Sequence, residues 1–337
     1  MKTGSGFIRA LSVCLTVGML TSCDASQPPV GPTGAMPQSV SVAGRTAHAP
    51  SRMLPEAKSE DLLYLSDDGN DSRFGSDILV YSYPKAKLVG ILAGFQSPAG
   101  MCTDGNGDVW ITNFNGGTIV EYAHGGTDPI STLKVPNIFP RGCSIDPTSG
   151  NLAVVGYGPV KPNVPGRILV YSGASGTPKV YRVRFGETSF CGYDNKGNLF
   201  IDGFGYNEKP PFAFGEIPKG GAKFKRLLLH HSIGYPGPVQ WDGKYVAVGA
   251  DDSNYINRYA IRGDRAVQVG GNIVLDGMYV NAAWIHGSKV VVTDRGNSIS
   301  QVLFYDYPAG GQPVRTIGNL DEESGVTVSL ASHKQPR

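Results

Sequence analysis

The sequence predicts an all-β fold, a six-bladed β-propeller closed by strand pairing between its N- and C-terminal segments. Three observations carry that prediction. A glycine, a polar residue and an apolar run recur at Gly107–Ile111, Gly150–Val154, Gly197–Ile201, Gly243–Val248 and Gly287–Val292, every 43 to 47 residues. Each copy is followed by a second strand-like run, and six such runs are present. The two ends of the repeat region hold complementary half-blades. Short apolar runs punctuated by Gly, Pro and Asn indicate antiparallel hairpins. Four short strands per ~45 residues, repeated radially, is the propeller arrangement.

The elements follow in order. Lys2 and Arg9 supply a positive region, and Ala10 to Leu20 form an apolar run. Leu20-Thr21-Ser22-Cys23 then ends in small residues before a cysteine. That order reads as a secretory signal over residues 1–22, and the run is shorter than the ~20 residues that span a bilayer. The last four residues resemble the bacterial lipobox. The resemblance implies cleavage before Cys23 and acylation of its thiol, an anchor that holds stably when two or more chains are attached. Asp24 is similar to an inner-membrane retention signal of some bacteria with two membranes. Residues 23–59 are rich in Pro, Ser, Ala, Gly and Gln and lack periodicity, so a flexible tether is expected there. The propeller is expected over 60–331, with a short tail at 332–337.

The strand-like runs that follow the signature strands are read at Ile78–Tyr83, Thr118–Tyr122, Arg167–Tyr171, Ala213–Ile217, Ile256–Ile261 and Gln301–Tyr307. A partial copy of the signature, Asp61–Leu65, opens the region, and the run Gly318–Val328 matches the lead-in Gly94–Cys102. The first lacks an inner neighbour and the second lacks a hairpin partner. Pairing them closes the ring and removes exposed strand edges.

Charge excludes one class of partner. Removal of residues 1–22 takes away Lys2 and Arg9 and brings the formal charge of +2 to zero. A neutral chain with 17% charged residues has no electrostatic footprint for nucleic acid. The expected setting is export, with lipid anchorage to the cell membrane or outer membrane facing the periplasm or the outside, as a monomer.

Two stretches resemble the NHL repeat: Ser97-Pro98-Ala99-Gly100-Met101-Cys102-Thr103-Asp104-Gly105-Asn106-Gly107-Asp108-Val109-Trp110-Ile111-Thr112-Asn113 and Val291-Val292-Thr293-Asp294-Arg295-Gly296-Asn297-Ser298-Ile299. The likeness extends weakly over Asp61–Leu330 and is poor in the fourth blade, where Pro210-Pro211 interrupts. The blade pattern is also similar to that of streptogramin lyase-like proteins and gluconolactonase-type lactonases. This architecture serves enzymes and binding modules alike, so it implies a blade and no chemistry.

Asp67, Asn113, Asp202, Asp251 and Asp294 end successive signature strands. In a propeller these ends converge on one channel mouth, where oxygen ligands suit a hard cation such as Ca²⁺. The gluconolactonase resemblance implies a metal-dependent hydrolase with such ligands. An Asp or Asn before a turn also bonds its own backbone as an Asx turn, and Asn115, Asn254 and Asn297 in the following turns fit that reading. No motif requires a cofactor, and Ca²⁺ is the one candidate.

Cys102, Cys143 and Cys191 occupy comparable lead-in positions of consecutive blades. The repetition predicts buried thiols filling one slot. One inter-blade disulfide is the second reading, and a metal trio the third. His124 and His286 fall in turns away from the mouth, and only His230-His231 reach an inter-blade loop, so the histidine set of streptogramin lyases has no counterpart. Tyr157, Tyr206, Phe212, His231 and Tyr235 are the candidate mouth residues, set in loops rich in Pro and Gly. The leading expectation is a membrane-tethered binding module for a protein, peptide or glycan. The hydrolase or lactonase is the alternative, and an assembly scaffold is the third reading.

Overall fold

A computed structural model describes residues 50–67, 76–158, 165–205, 211–231, 233–296, 299–320 and 323–331. The expected signal peptide, Cys23, Tyr206 and the 332–337 tail lie outside the described residues.

Alternating residues of the signature strands decide the architecture. In Leu62–Asp67, Leu62 and Tyr64 belong to one apolar cluster, and Leu63 and Leu65 to another. In Leu152–Tyr157, Leu152 and Val154 face one cluster, and Ala153 and Val155 the next. A strand apolar on both faces must be covered on both. Each cluster straddles two adjacent sheets, so the core consists of inter-blade layers.

Six sheets supply those layers. Blade 1 contains Leu62–Asp67, Ser76–Ser82 and Lys87–Phe95. Blade 2 runs Pro98–Thr103, Val109–Asn113, Thr118–Tyr122, Pro129–Lys134. Blade 3 runs Phe139–Ile145, Leu152–Tyr157, Gly166–Tyr171, Lys179–Val183. Blade 4 runs Glu187–Tyr193, Leu199–Phe204, Phe212–Ile217, Lys225–Arg226. Blade 5 is built on Val239–Trp241, Val246–Gly249, Tyr255–Arg262 and Arg265–Gln268, and blade 6 on Ala282–His286, Lys289–Gly296, Ile299–Asp306 and Arg315–Leu320. The innermost strand of blade 1 is Glu323–Ser329, which pairs with Leu62–Asp67 in the register Leu62↔Ser329, Leu65↔Val326. The predicted closure is therefore present.

The aspartate that recurs before each signature glycine has a local role. Asp104, Asp146, Asp194 and Asp242 each accept the N–H of the residue two positions on, at 2.8–2.9 Å, and so fold the first hairpin turn of blades 2 to 5.

The expected boundary between tether and propeller moves. Arg52–Met53 pairs with Gly90 and Ile91 on the outer edge of blade 1, and Ala57 in the following 3₁₀ turn is fully buried. The folded body thus includes residues that the composition assigned to the tether, because two residues suffice to cap an open edge. Blade 5 gains a similar cover from Leu228–Leu229, which runs parallel to Arg265–Gln268.

Inner strands of neighbouring blades touch through backbone. A Cβ at Gly325 would lie 2.1 Å from the Ala99 carbonyl oxygen, and one at Gly100 would lie 2.4 Å from that of Arg141. Both positions need glycine. This closeness also corrects the expectation of three buried thiols: Cys102 and Cys143 form a disulfide across blades 2 and 3, with Cα atoms 5.7 Å apart. Cys191, the third copy of the slot, is a free, buried thiol, and burial pushes its pKa up. Replacing Cys102 and Cys143 together by serine should cost about 2–4 kcal/mol of unfolding free energy, since the bridge closes a long loop of the unfolded chain. Chemical denaturation of the double variant beside the parent checks this. Thiol titration of the unfolded, unreduced protein should find only Cys191 free among the three.

Candidate functional site

Antiparallel pairing brings the starts of inner strands to the same end as the finishes of second strands. Tyr157 lies opposite Phe139, and Phe204 opposite Glu187. The loops between second and third strands and those between blades meet there, and this end is the mouth.

The five predicted metal residues reach this end but are spent on other partners. Asp202 is fully buried; it accepts the Phe190 N–H at 2.8 Å and the Gly237 N–H at 3.0 Å. Burial raises its pKa well above the ordinary carboxylate value despite those bonds. Asp294 accepts the Met278 and Tyr279 N–H groups at 3.0 and 2.9 Å and a side-chain N–H of Gln301 at 3.1 Å. Asn113 accepts the Gln96 N–H at 2.6 Å. Asp67 is buried in the closure of blade 1, opposite Asp77 and Glu323 in register. Asp251 faces Arg141. Three of the five thus clamp connecting loops to second strands, an interblade version of the Asx bond rather than the local one expected.

Among the described residues, Asp67, Asp202, Asp251 and Asp294 form no trio of ligand atoms within 4.8 Å of one another. Inner strands from all six blades enclose a cavity of only about 30 Å³, bordered by Gly100, Gly142, Cys191, Gln240, Ala283 and Gly325. The five residues are spread among five blades around the rim. Among the described residues the only trio of acidic ligand atoms within 4.8 Å is Asp104, Asp108 and Glu121, at the other end of blade 2. Burial and the two aspartates lift the Glu121 pKa to about 7, while Asp104 is engaged by its own turn.

What the mouth does present is one arginine within an aromatic arc. Arg141 is the only Lys or Arg on the six inner strands. Its guanidinium lies 5.1 Å from the ring centres of both Tyr157 and Phe190 and donates to the Tyr157 hydroxyl. Asp251 sits 3.7 Å away. Glu187, its pKa raised by burial, and the buried Asp202 also lie in the field of this guanidinium. The rings run in sequence around the rim: Phe139 to Phe114 at 5.4 Å, Phe114 to Tyr157 at 6.0 Å, Tyr157 to Phe204 at 6.4 Å, and Phe204 to Tyr235 at 6.0 Å. The two ends are open, with Phe139 45% and Tyr235 49% exposed. Phe139, Tyr157 and Phe204 stand on strands and Phe114 and Tyr235 in turns, and contiguous aromatic surface with a charged group beside it is the composition of recognition sites.

Of the predicted mouth residues, Tyr157 and Tyr235 belong to this arc. Phe212 does not: it is buried against Phe214 in the layer between blades 4 and 5, because both side chains share one face of their strand. His231 is exposed and pairs with His230 at 3.2 Å, without a bond to the arc. His124 lies at the opposite end, bonded to Ser329 and the Glu60 carbonyl. Arg141, Phe114, Phe139 and Phe204 were not anticipated from the sequence.

No family model matches the sequence, and no curated protein matches it. Solved structures do. A chain from the crystal structure of a nidogen/laminin complex superposes with a TM-score of 0.60 at 16% identity, covering 80% of this chain and 99% of that one. A Bacteroides caccae protein of unknown function gives 0.58 at 14% identity, again covering 80% and 99%. The Kuenenia stuttgartiensis hydrazine synthase gives 0.50 at 14% identity, covering 67% and 70%. At such identities the likeness shows the fold. The chain is a six-bladed β-propeller.

Burial lifts the Asp251 carboxyl to about 6, against the opposing pull of Arg141 and Arg295. Between about pH 4 and 6 the folded state then keeps a proton that the unfolded chain has lost, so stability falls as pH rises through that window. Unfolding midpoints measured from pH 4 to 7 should show this fall, to which the raised carboxyls of Glu121 and Asp202 add, and Asp251→Asn should make it shallower.

Proposed function

We propose that this protein is an exported, lipid-anchored propeller of NHL-like blades that binds a protein, peptide or glycan partner across its aromatic mouth. The observation that carries the reading is the arc from Phe139 to Tyr235 over Arg141. The arc presents aromatic surface at the rim, where each ring packs against the next and Phe139 and Tyr235 stay exposed. Preorganised aromatic surface loses little conformational entropy on binding and supplies most of the contact energy in many interfaces.

Export is supported by the Cys102–Cys143 bridge, since disulfides persist in oxidising compartments. The lipobox-like Leu20–Cys23 points to the anchor, and the Asx turns at Asp104, Asp146, Asp194 and Asp242 give the NHL-like aspartate a physical task.

The test uses the full chain in its native membrane. Metabolic labelling with a palmitate analogue should mark the parent and not Cys23→Ser. Solubilised protein is then applied to peptide and glycan arrays. Phe139→Ala with Tyr235→Ala should weaken the ligands found by about tenfold or more, as truncation of hot-spot rings does. Ligands that bind both proteins equally would refute the mouth, and an unlabelled parent would refute the anchor.

A further inference from the structure

The outer rims of the six blades are managed differently. Blades 1 and 5 are covered by Arg52–Met53 and Leu228–Leu229. The outermost strand of blade 2 begins at Pro129 and pairs across a register shift. That of blade 4 has two residues, and that of blade 6 also pairs across a shift. Cover, proline, irregular pairing and shortness are the usual devices against edge pairing.

Blade 3 has none of these and carries charge instead, with Lys179 and Arg182 on its edge strand. Lys179–Val183 pairs with Gly166–Tyr171 in unbroken register over its whole length and ends its sheet. Val180 on this edge is 47% exposed.

Beside this edge lies a groove of about 590 Å³, shared with blade 4. Val180, Tyr181 and Arg182 all border it. Consecutive side chains of a strand point to opposite faces, so three in a row border the groove because the strand's edge does. Phe185 and Phe224, in edge-to-face contact at 4.9 Å, line it further in. Arg184, Lys223 and Arg226 complete the lining. Among the described residues, Arg182, Arg184 and Lys223 have no carboxylate within ion-pair distance.

We propose that this edge is an interaction surface for an extended acidic peptide segment of a partner protein, which adds to blade 3 as a fifth strand. Main-chain pairing supplies affinity in such strand addition, and side-chain pockets supply choice. The cations do the choosing here. They repel a second copy of the same edge and any neutral or basic strand gains nothing from them, whereas alternate carboxylates find Arg184 and Lys223 unpaired. A membrane surface would engage the cations but leave the strand's edge amides without partners. This site is remote in kind from the aromatic mouth and does not depend on it.

The experiment presents the solubilised full chain with a fluorescent decapeptide of alternating Glu and Val, and with its Lys–Val counterpart. The acidic peptide should bind at least about tenfold more tightly, and Arg184→Glu combined with Lys223→Glu should lose about tenfold. Both side chains are exposed, so the variant's unfolding midpoint should match the parent's. On the parent protein, bound peptide should slow amide hydrogen exchange within 179–183. Binding without that slowing would overturn strand addition. Equal binding of the two peptides would overturn the charge selection. Capture of phosphatidylglycerol vesicles with no peptide binding would assign the groove to a lipid surface and overturn the proposal.

Discussion

Six inner strands meet around an axis with room for little beyond a water molecule, and their contact is backbone against backbone at Gly325–Ala99 and Gly100–Arg141. Side chains at those points would push neighbouring sheets apart. The apolar layers between blades depend on that approach, because each layer is filled by strands apolar on both faces and has no other cover. The Leu62–Asp67 pairing with Glu323–Ser329 completes the ring, so blade 1 is built from both ends of the chain. Burial is cooperative around such a ring: opening one layer exposes two sheets.

The same packing decides what the mouth can do. Asn113, Asp202 and Asp294, at the ends of signature strands, accept N–H groups from the connections between blades, and Asp202 also accepts one from Phe190 of its own blade. Buried carboxylates at Asp202 and Asp294 satisfy donors that would otherwise be orphaned where blades join. The rim is thereby held in place, and the rings from Phe139 to Tyr235 rest on it. Arg141 stands beneath the arc with its charge shared between two π faces and Asp251.

The blade count and closure were legible because period and alternation are properties of the chain alone. Positions of the acids that end signature strands were legible too, but not every partner was: Phe190 lies across the same hairpin, whereas Gly237, 35 residues from Asp202, is reached only through the connection towards the next blade. The cysteine slot was read correctly as repeated, while the bridge depended on an inter-blade distance that periodicity does not contain. Phe212 shares strand parity with Phe214, a signal for the core that its place beside a loop obscured. Arg141 had a signal as well, as the lone cation in an inner-strand lead-in.

Glycine at the inner-strand contacts permits ring closure, and the unfolding free energy of Gly325→Ala beside Gly105→Ala tests this. A Cβ at Gly105 meets nothing within 4 Å, whereas one at Gly325 meets the Ala99 carbonyl at 2.1 Å. The account predicts a loss on the order of 1–3 kcal/mol for Gly325→Ala, the cost of overpacking a tight contact, and little change for Gly105→Ala. Equal stabilities for the two variants would contradict it.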